Sequence, residues 1–283
     1  MTEQIRSAGL GISASEGDSW SSLEEITAHD ESRAESIASE DYSAYLIATD
    51  FGFTLPAGST VLGIKAEIER SADLEALCQD REIRIVKTGS IKTVVNNASV
   101  GAAWPLTEAY ASYGSLTDVW GETWEVEDIN SAGFGLAIRT TFSEHGVTAL
   151  INHIRITVFY QEPPSLSELA AYLGRAEDSL PSDALRLIGQ ATDLIKELVD
   201  QNYDLDNSEH VAGVKKAICA QVEYWFATGE RKDITGPVQE YSASRIRISH
   251  GAGEGRVSPT YLAPRAQRYL SQLGLLYQGR GSQ

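Results

Sequence analysis

The sequence predicts a two-domain α+β protein, in which an antiparallel β-sandwich is followed by a small helical bundle with an exposed β-like arm. Between positions 42 and 161, apolar and polar residues alternate over strand-like lengths with turn residues between them. Pro163-Pro164 ends this pattern, because proline cannot join a β ladder. Beyond it, apolar residues recur at helical spacing. We therefore expect a first domain at 1–162 and a second at 163–283.

The first domain is predicted to consist of an acidic arm and a sandwich. Residues 1–40 are rich in Ser, Glu and Asp and favour either a solvated arm or a short helix with loops. Five strand-like segments follow: SAYLIATDF, STVLGIKAEIER, REIRIVKTG, GFGLAIRTTF and LINHIRITVFYQ. In the second, the apolar residues alternate with Lys65, Glu67 and Glu69, and in the last the polar face includes His153. Each strand should therefore present one face to the core and one mostly to water.

The second domain is predicted to contain four helices. They are SLSELAAYLG, then PSDALRLIGQATDLIKELVDQN, then SEHVAGVKKAICAQVEYWFATG, and finally LAPRAQRYLSQLGLL. The expected core residues of the second helix are Leu185, Ile188, Ile195 and Leu198. Ser208 is expected to cap the third helix and Gly229 to end it.

Charge and cysteine content restrict the function classes. The net charge of −17 is concentrated in residues 1–162, which hold 25 acidic and 10 basic residues, so sequence-independent DNA binding by the whole protein is not expected. The two cysteines, Cys78 and Cys219, fall in different domains and predict buried thiols, not a disulfide framework. The chain has no apolar run of membrane-spanning length and no signal-peptide pattern at its start, which predicts a protein made in a cytoplasm.

The sequence shows no local catalytic pattern. The five histidines do not fall into an H-x-x-x-H spacing, and no G-x-S-x-G turn occurs. The glycine-rich stretch SRIRISHGAGEGRVSP, 244–259, lacks both the Lys-Ser/Thr of a phosphate loop and a helix after it, which favours an extended loop. We therefore predict a protein that is not an enzyme, without a catalytic site, cofactor or metal.

Tryptophan is concentrated in the first domain, at positions 20, 104, 120 and 124. Exposed aromatic rings on a β-sandwich can stack on sugars, so a glycan-binding module using Trp120 and Trp124 is one hypothesis. The other is that these rings complete the core of the sandwich or clamp the long loop before Trp124.

The order of elements over residues 165–277 resembles that of head-tail connector, or adaptor, proteins of tailed bacteriophages. The most telling part is the run from Gly236 through Tyr241 to Ile248, followed after a loop by the final helix. The segments FGFTLPAGSTVLGIKAEIERS and INHIRITVFYQ are also similar to a β-sandwich module of phage virion proteins. The plain adaptor lacks such a domain, so this chain adds about 160 residues before the adaptor-like part.

The resemblance implies a structural virion protein at the head-tail interface, made in the host bacterial cytoplasm. It would form a homo-oligomeric ring of about twelve copies, matching the portal protein on one side and joining the next neck component, a stopper or tail terminator, on the other. DNA would pass through it during packaging and ejection without specific binding, and no membrane would be involved. The implied subunit or neck contacts are Tyr241, Arg245, Ile246, Arg247 and Ile248. The implied portal-docking residues are Leu276, Tyr277 and Arg280. The alternative is a glycan- or host-surface-binding sandwich that the helical domain anchors to the virion.

Overall fold

The computed structural model describes residues 2–14, 16–199, 207–228 and 262–276. The chain divides into two compact units, Met1–Glu162 and Pro163–Gln283. The described residues combine antiparallel β-sheets with α-helices, so the fold class is α+β.

The strands of the first unit form two antiparallel sheets of five strands each. Sheet A has the spatial order β1 (Thr2–Ser7), β10 (Thr148–Gln161), β5 (Thr60–Ala72) and β8 (Ala109–Gly114), and β3 (Ala34–Ile37) also pairs with β10. Sheet B has the order β2 (Leu10–Ser13), β4 (Leu46–Thr49), β9 (Gly135–Phe142), β6 (Cys78–Lys87) and β7 (Ser90–Ile91). A short helix, α1 (Val126–Asn130), precedes β9.

The core of this unit lies between the two sheets. In β5, Ile64, Ala66 and Ile68 point inward and are fully buried, and in β10 the same holds for Ile154 and Ile156. All five strand-like segments of the sequence are strands, because their period-2 alternation matches a sheet with one covered face. The architecture is that of a β-sandwich.

The prediction of an acidic arm at residues 1–40 is wrong. These residues supply β1, β2 and β3 and a 3₁₀ turn (Leu23–Thr27). β1 and β2 are edge strands whose large apolar residues, Ile5, Leu10 and Ile12, are exposed, so no buried apolar face marks them in the sequence. The segment is therefore an integral part of both sheets.

The described helices of the second unit are α2 (Leu166–Leu173), α3 (Ala184–Val199), α4 (Ser208–Thr228) and α5 (Pro264–Gln272). Ser165 caps α2, since its hydroxyl accepts a 3.1 Å hydrogen bond from the backbone N–H of Glu168. One apolar cluster contains residues of all four helices. Among the described residues, no helix is both long and apolar enough to cross a membrane.

The predicted core face of α3 is partly wrong. Ile188 and Ile195 are buried, but Leu185 is 61% exposed and Leu198 only partly buried. The buried stripe comprises Ala184, Leu187, Ile188, Ala191, Ile195 and Val199. Alanines supply two positions of this stripe, and a search for large apolar residues misplaces the face by one position at each end of the helix.

Helices α4 and α5 pack against each other in antiparallel orientation. The backbone N–H of Ala263, at the start of α5, donates a 2.7 Å hydrogen bond to Oε1 of Gln221 in α4. Gly213, two turns earlier in α4, lies against Leu273 at the end of α5. The chain therefore leaves α4 and enters α5 at the same end of the bundle.

A candidate binding face on sheet A

Most of the contact residues implied by the connector resemblance lie outside the described residues. This applies to the arm residues Tyr241, Arg245, Ile246, Arg247 and Ile248, and to Tyr277 and Arg280. It also applies to Gly229 and the glycine-rich stretch 244–259. Leu276 is described, and it is partly buried against the helical core.

The rings of Trp120 and Trp124 are buried and are not exposed on the surface of the sandwich. Trp120 is 1% exposed and its indole N–H donates a 2.9 Å hydrogen bond to the carbonyl of Ile64, while Trp124 is 6% exposed and donates to the carbonyl of Val119 at 2.9 Å. Trp20 and Trp104 are also buried. The tryptophans complete the core of the sandwich, and neither of the two rings proposed to stack on a sugar is available for it.

The outer face of sheet A instead carries an ordered set of polar side chains. The register pairs Glu69 of β5 with His153 of β10 on one side and Tyr110 of β8 on the other. The next row along the strands pairs Glu67 with Arg155, which in turn pairs with Ser7 of β1. Residues paired directly across strands share a face, so these side chains lie side by side. We refer to Ser7, Glu67, Glu69, Tyr110, His153 and Arg155 as the sheet A face.

Glu67 is held by two cations. Arg155 contacts both carboxylate oxygens, with Nε 3.0 Å from Oε2 and Nη2 3.3 Å from Oε1, and Lys65 Nζ lies 3.3 Å from Oε2. Burial alone would raise the pKa of Glu67, but the hydrogen bonds from Arg155 and Lys65 outweigh it and the pKa is lowered. Glu67 is therefore ionised at neutral pH.

Glu69 lies beside one histidine and one tyrosine. Its Oε2 is 2.6 Å from Nδ1 of His29, and Tyr110 is its direct partner on the neighbouring strand. Burial and the negative charge of Glu69 raise the pKa of Tyr110. Nδ1 of His153 is 2.8 Å from the hydroxyl of Tyr110, and burial together with nearby Arg155 lowers the pKa of His153. His153 is therefore a neutral imidazole at neutral pH.

The loop 28–33 closes one end of this face. His29 joins it to Glu69, and Arg33 forms an ion pair with Glu108, immediately before β8. The backbone N–H of Asp30 donates a 3.2 Å hydrogen bond to Oδ1 of Asn152, at a bulge in β10. At the other end, the loop 115–118 approaches the backbone of β5 so closely that a Cβ at Gly63 would lie 2.1 Å from the Leu116 carbonyl oxygen. The sheet A face is thus a floor with a loop at each end.

Tyr110 is the exposed aromatic residue of this floor. It is 36% exposed, and Cζ of Arg155 lies 4.4 Å from the centroid of its ring. The His29 ring lies 6.4 Å away and close to parallel. Further along, Thr157 of β10 is 2% exposed, and among the described residues its hydroxyl has no hydrogen-bond partner. The floor therefore offers an aromatic ring, carboxylates, a guanidinium, imidazoles and one unsatisfied hydroxyl within a few strands.

This set of side chains suits a polar, hydroxyl-rich ligand better than a metal ion. Within the described part of the chain, no group of three or more His, Cys, Asp or Glu side chains is arranged to hold a metal. The carboxylate of Glu67 is already paired with Arg155 and Lys65, and that of Glu69 contacts the ring of His29. Hydrogen-bond donors and acceptors alternate across the face, and each sugar hydroxyl can both donate and accept.

Comparisons with known proteins give distant likenesses of architecture. No family model matches the chain, and no curated protein matches it. Among solved structures, a xylan-binding module termed CBM15 is 9% identical with a TM-score of 0.31, covering 56% of this chain and 97% of its own. The CBM22-1 xylan-binding domain of Paenibacillus barcinonensis Xyn10C is 10% identical with a TM-score of 0.28, covering 54% of this chain and 85% of its own. An exo-beta-agarase is 12% identical with a TM-score of 0.24, covering 72% of this chain and 31% of its own.

Sequence reasoning identified the polar positions of the face but not their assembly. The alternation of β5 and β10 placed Glu67, Glu69 and His153 on outward faces. It predicted that these faces are mostly wet, whereas all three are less than a tenth exposed. His29 and Ser7 belong to the segment interpreted as an arm, so their approach to β10 and β5 had no signal in the sequence pattern.

Proposed function

We propose that the β-sandwich binds a glycan on the sheet A face and that the helical unit anchors it to a larger assembly. The observation that carries this proposal is Tyr110, an exposed ring set among ionised and hydrogen-bonding side chains. Sugar rings pack their C–H faces against aromatic rings, while their hydroxyls bond to flanking polar groups. Glu67, Glu69 and Arg155 supply those groups around Tyr110.

The paired charges also explain why a sugar is favoured over a simple ion. The carboxylate of Glu67 already has its countercharges in Arg155 and Lys65, so a free anion or cation would have to displace an existing partner. A neutral hydroxyl can insert at the unused lone pairs and N–H groups without separating the ions.

A binding assay on matched tyrosine variants tests this proposal. The full chain would be titrated with a panel of neutral and acidic bacterial and plant polysaccharides by affinity electrophoresis and calorimetry. Tyr110→Ala should weaken binding by about tenfold or more, since an aromatic contact contributes about 0.5–1.5 kcal/mol beyond its buried area. Tyr42→Ala, a half-buried tyrosine held by Arg81 and Arg139 near sheet B, is the control and should keep the wild-type affinity. If no polysaccharide binds, or if Tyr110→Ala binds like wild type, the proposal is wrong.

A second proposal is that the helical unit is the connector component that the sequence resembles, forming a ring between a portal and the next neck protein. Its support is the antiparallel pairing of α4 and α5. The chain leaves α4 and enters α5 at one end of the bundle, so the exposed segment that the resemblance implies falls in sequence between two helices that pack together. The connectors that the sequence resembles have such a segment between the third and final helices. The two proposals are compatible, since one concerns each unit.

Negative-stain electron microscopy tests the connector proposal. The purified chain would be mixed with portal rings of the virus that encodes it. An added layer on the rings is expected, and it should be lost when residues 241–257 or 276–283 are deleted. Portal rings that remain unchanged beside free chains would refute the connector function and leave the glycan proposal to stand on its own assay.

A further inference from the structure

Three side chains of the sheet A face form a continuous chain of hydrogen bonds. The hydroxyl of Ser7 lies 2.8 Å from Nε2 of His153, and Nδ1 of His153 lies 2.8 Å from the hydroxyl of Tyr110. Glu69 is paired directly with Tyr110 across the strands. These residues come from β1, β10, β8 and β5, so four different strands bring them together.

The position of one proton on His153 sets the direction of the bonds in this chain. A neutral imidazole has a single N–H group, and with that proton on Nδ1, His153 donates to the hydroxyl oxygen of Tyr110. Nε2 is then left with its lone pair facing the hydroxyl of Ser7. A serine hydroxyl that donates to a histidine whose other nitrogen is oriented by a third group is the arrangement of an activated nucleophile.

The surroundings of Ser7 complete the requirements for attack on a carbonyl. Ser7 is exposed, so a small substrate can reach its oxygen. Arg155 is its direct partner across the strands, and its guanidinium uses Nε and Nη2 on Glu67. Nη1 of Arg155 carries the remaining N–H groups of the fork. A cation at this position can stabilise the negative charge that develops on a carbonyl oxygen.

We propose that Ser7 is a nucleophile that cleaves esters of small acyl groups, with His153 as its general base. In the first step the Ser7 oxygen bonds to the acyl carbon while its proton moves to Nε2 of His153. That proton then passes to the alcohol oxygen as the ester C–O bond breaks, leaving acyl-Ser7 and a free alcohol. Water adds to the acyl carbon in the same way, and the carboxylic acid leaves as Ser7 recovers its proton. Tyr110 acts as a positioning residue.

An O-acylated sugar is the substrate class that fits this position. Ser7 lies on the same floor as Tyr110, so a glycan held on that ring would present its ester groups to the nucleophile. This assignment of substrate rests on the proposed glycan binding, whereas the reactivity of Ser7 does not. A small electrophilic probe therefore tests the nucleophile separately from the sugar.

A fluorophosphonate probe provides the direct test on the full chain. Attack by the Ser7 oxygen on phosphorus forms an O–P bond and releases fluoride, and His153 takes the proton. Mass spectrometry of the digested protein should locate the adduct on Ser7. Ser7→Ala should abolish labelling, and His153→Gln should slow it by about 100-fold or more, the usual contribution of a positioned base. Ser112→Ala is the matched control, since Ser112 is also exposed on sheet A but is paired with Glu67 instead of a histidine, and its labelling should equal wild type.

The pH profile distinguishes a relay from a merely accessible serine. His153 is faced by Glu69 of β5, Tyr110 of β8, Arg155 of its own strand, Ser7 of β1 and His29 of the loop 28–33. The labelling rate should rise with pH through a single ionisation and then level off. Tyr110→Phe removes the oxygen that fixes the tautomer, so it should slow labelling by about tenfold and shift this profile. The absence of an adduct, an adduct distributed over several serines, or labelling that is the same in His153→Gln and in wild type would each overturn the proposal.

Discussion

The guanidinium of Arg70, on sheet A, forms an ion pair with the carboxylate of Asp80, on sheet B, and both side chains lie inside the sandwich. Asp80 also accepts 2.9 Å hydrogen bonds from the indole N–H of Trp104 and the hydroxyl of Tyr113. The backbone N–H of Ser99 donates to it at 3.1 Å. One buried carboxylate therefore links both sheets and the loop that leads to β8, and Cζ of Arg70 lies 4.9 Å from the centroid of the Trp104 ring.

Replacement of Asp80 should destabilise the sandwich strongly. Asp80→Asn keeps the size of the side chain but leaves the Arg70 cation buried without its countercharge, a change that costs about 3–5 kcal/mol. The free energy of unfolding, measured with urea by near-UV circular dichroism, should fall by that amount. Arg33→Gln breaks the half-exposed pair with Glu108 and serves as control, with an expected cost below about 1 kcal/mol. Equal losses in the two variants would contradict this account of Asp80.

Two glycines of the helical unit should respond oppositely to alanine. A Cβ at Gly213 of α4 would lie 2.1 Å from Cδ1 of Leu273, so Gly213→Ala forces the Leu273 side chain out of its present position and should lower the melting temperature of the unit. Gly189 of α3 faces open space, so Gly189→Ala should stabilise the unit by roughly 0.5–1 kcal/mol through helix propensity. Thermal unfolding followed at the helical circular dichroism band measures both. Stabilisation by both alanines would mean that α4 and α5 do not pack as described.

The sequence was sufficient to predict the central strands and the helices, whose apolar residues are regularly spaced. It was insufficient to predict the edge strands. β5 and β10 are central in sheet A, so their inner residues are apolar and alternate clearly. β1 lies at the edge with nearly every side chain exposed, and a polar strand of this kind cannot be distinguished from a solvated arm by hydrophobicity. The helices were recognisable from their spacing, but the alanine-rich face of α3 made its orientation ambiguous.

The candidate site was less predictable than the fold because its residues are distant in the sequence. Ser7 and His153 are separated by 146 positions, and only the pairing of β1 with β10 brings them together. The hypothesis that Trp120 and Trp124 stack on a sugar was wrong for a similar reason. The sequence shows that tryptophans are present, but it does not show whether their rings lie in the core or on the surface. Trp120 closes the core from a loop after β8, and the sheet register leaves Tyr110 as the exposed ring of the sheet A face.

Both cysteines should be unreactive in the folded protein. Burial raises the pKa of Cys78 and of Cys219 to about 12, and both side chains are buried. At a mildly alkaline pH only about one thiol in ten thousand would then be a thiolate, the form that reacts. Iodoacetamide should modify neither residue in native buffer and both in urea, as counted by intact mass. Ser143→Cys, at an exposed turn, is the control and should react quickly. Rapid modification of Cys78 in native buffer would show that the sandwich opens. Rapid modification of Cys219 would show that the helical bundle opens.

Protonation of His153 should destabilise the sandwich in a defined pH window. Burial and the positive charge of Arg155 lower the pKa of His153 below its ordinary value of 6.5, so the unfolded chain binds this proton more readily than the folded one. Stability is then fully present above pH 6.5 and is lost as the pH falls from 6.5 through the lowered pKa. Glu67 acts in the same direction but in a lower window, since its lowered pKa begins to matter only below its ordinary value of 4.5.

Urea unfolding measured between pH 6.5 and 4.5 isolates the effect of His153, because Glu67 begins to contribute only below pH 4.5. Wild type should lose stability across this range, and His153→Gln should flatten the upper part of the curve because glutamine cannot take up the proton. His145→Gln, at an exposed turn outside the sheet A face, should reproduce the wild-type curve. A curve for His153→Gln that parallels wild type would show that another group titrates in this range. The neutral imidazole, and with it the direction of the hydrogen bonds from Ser7 to Tyr110, would then have to be reassigned.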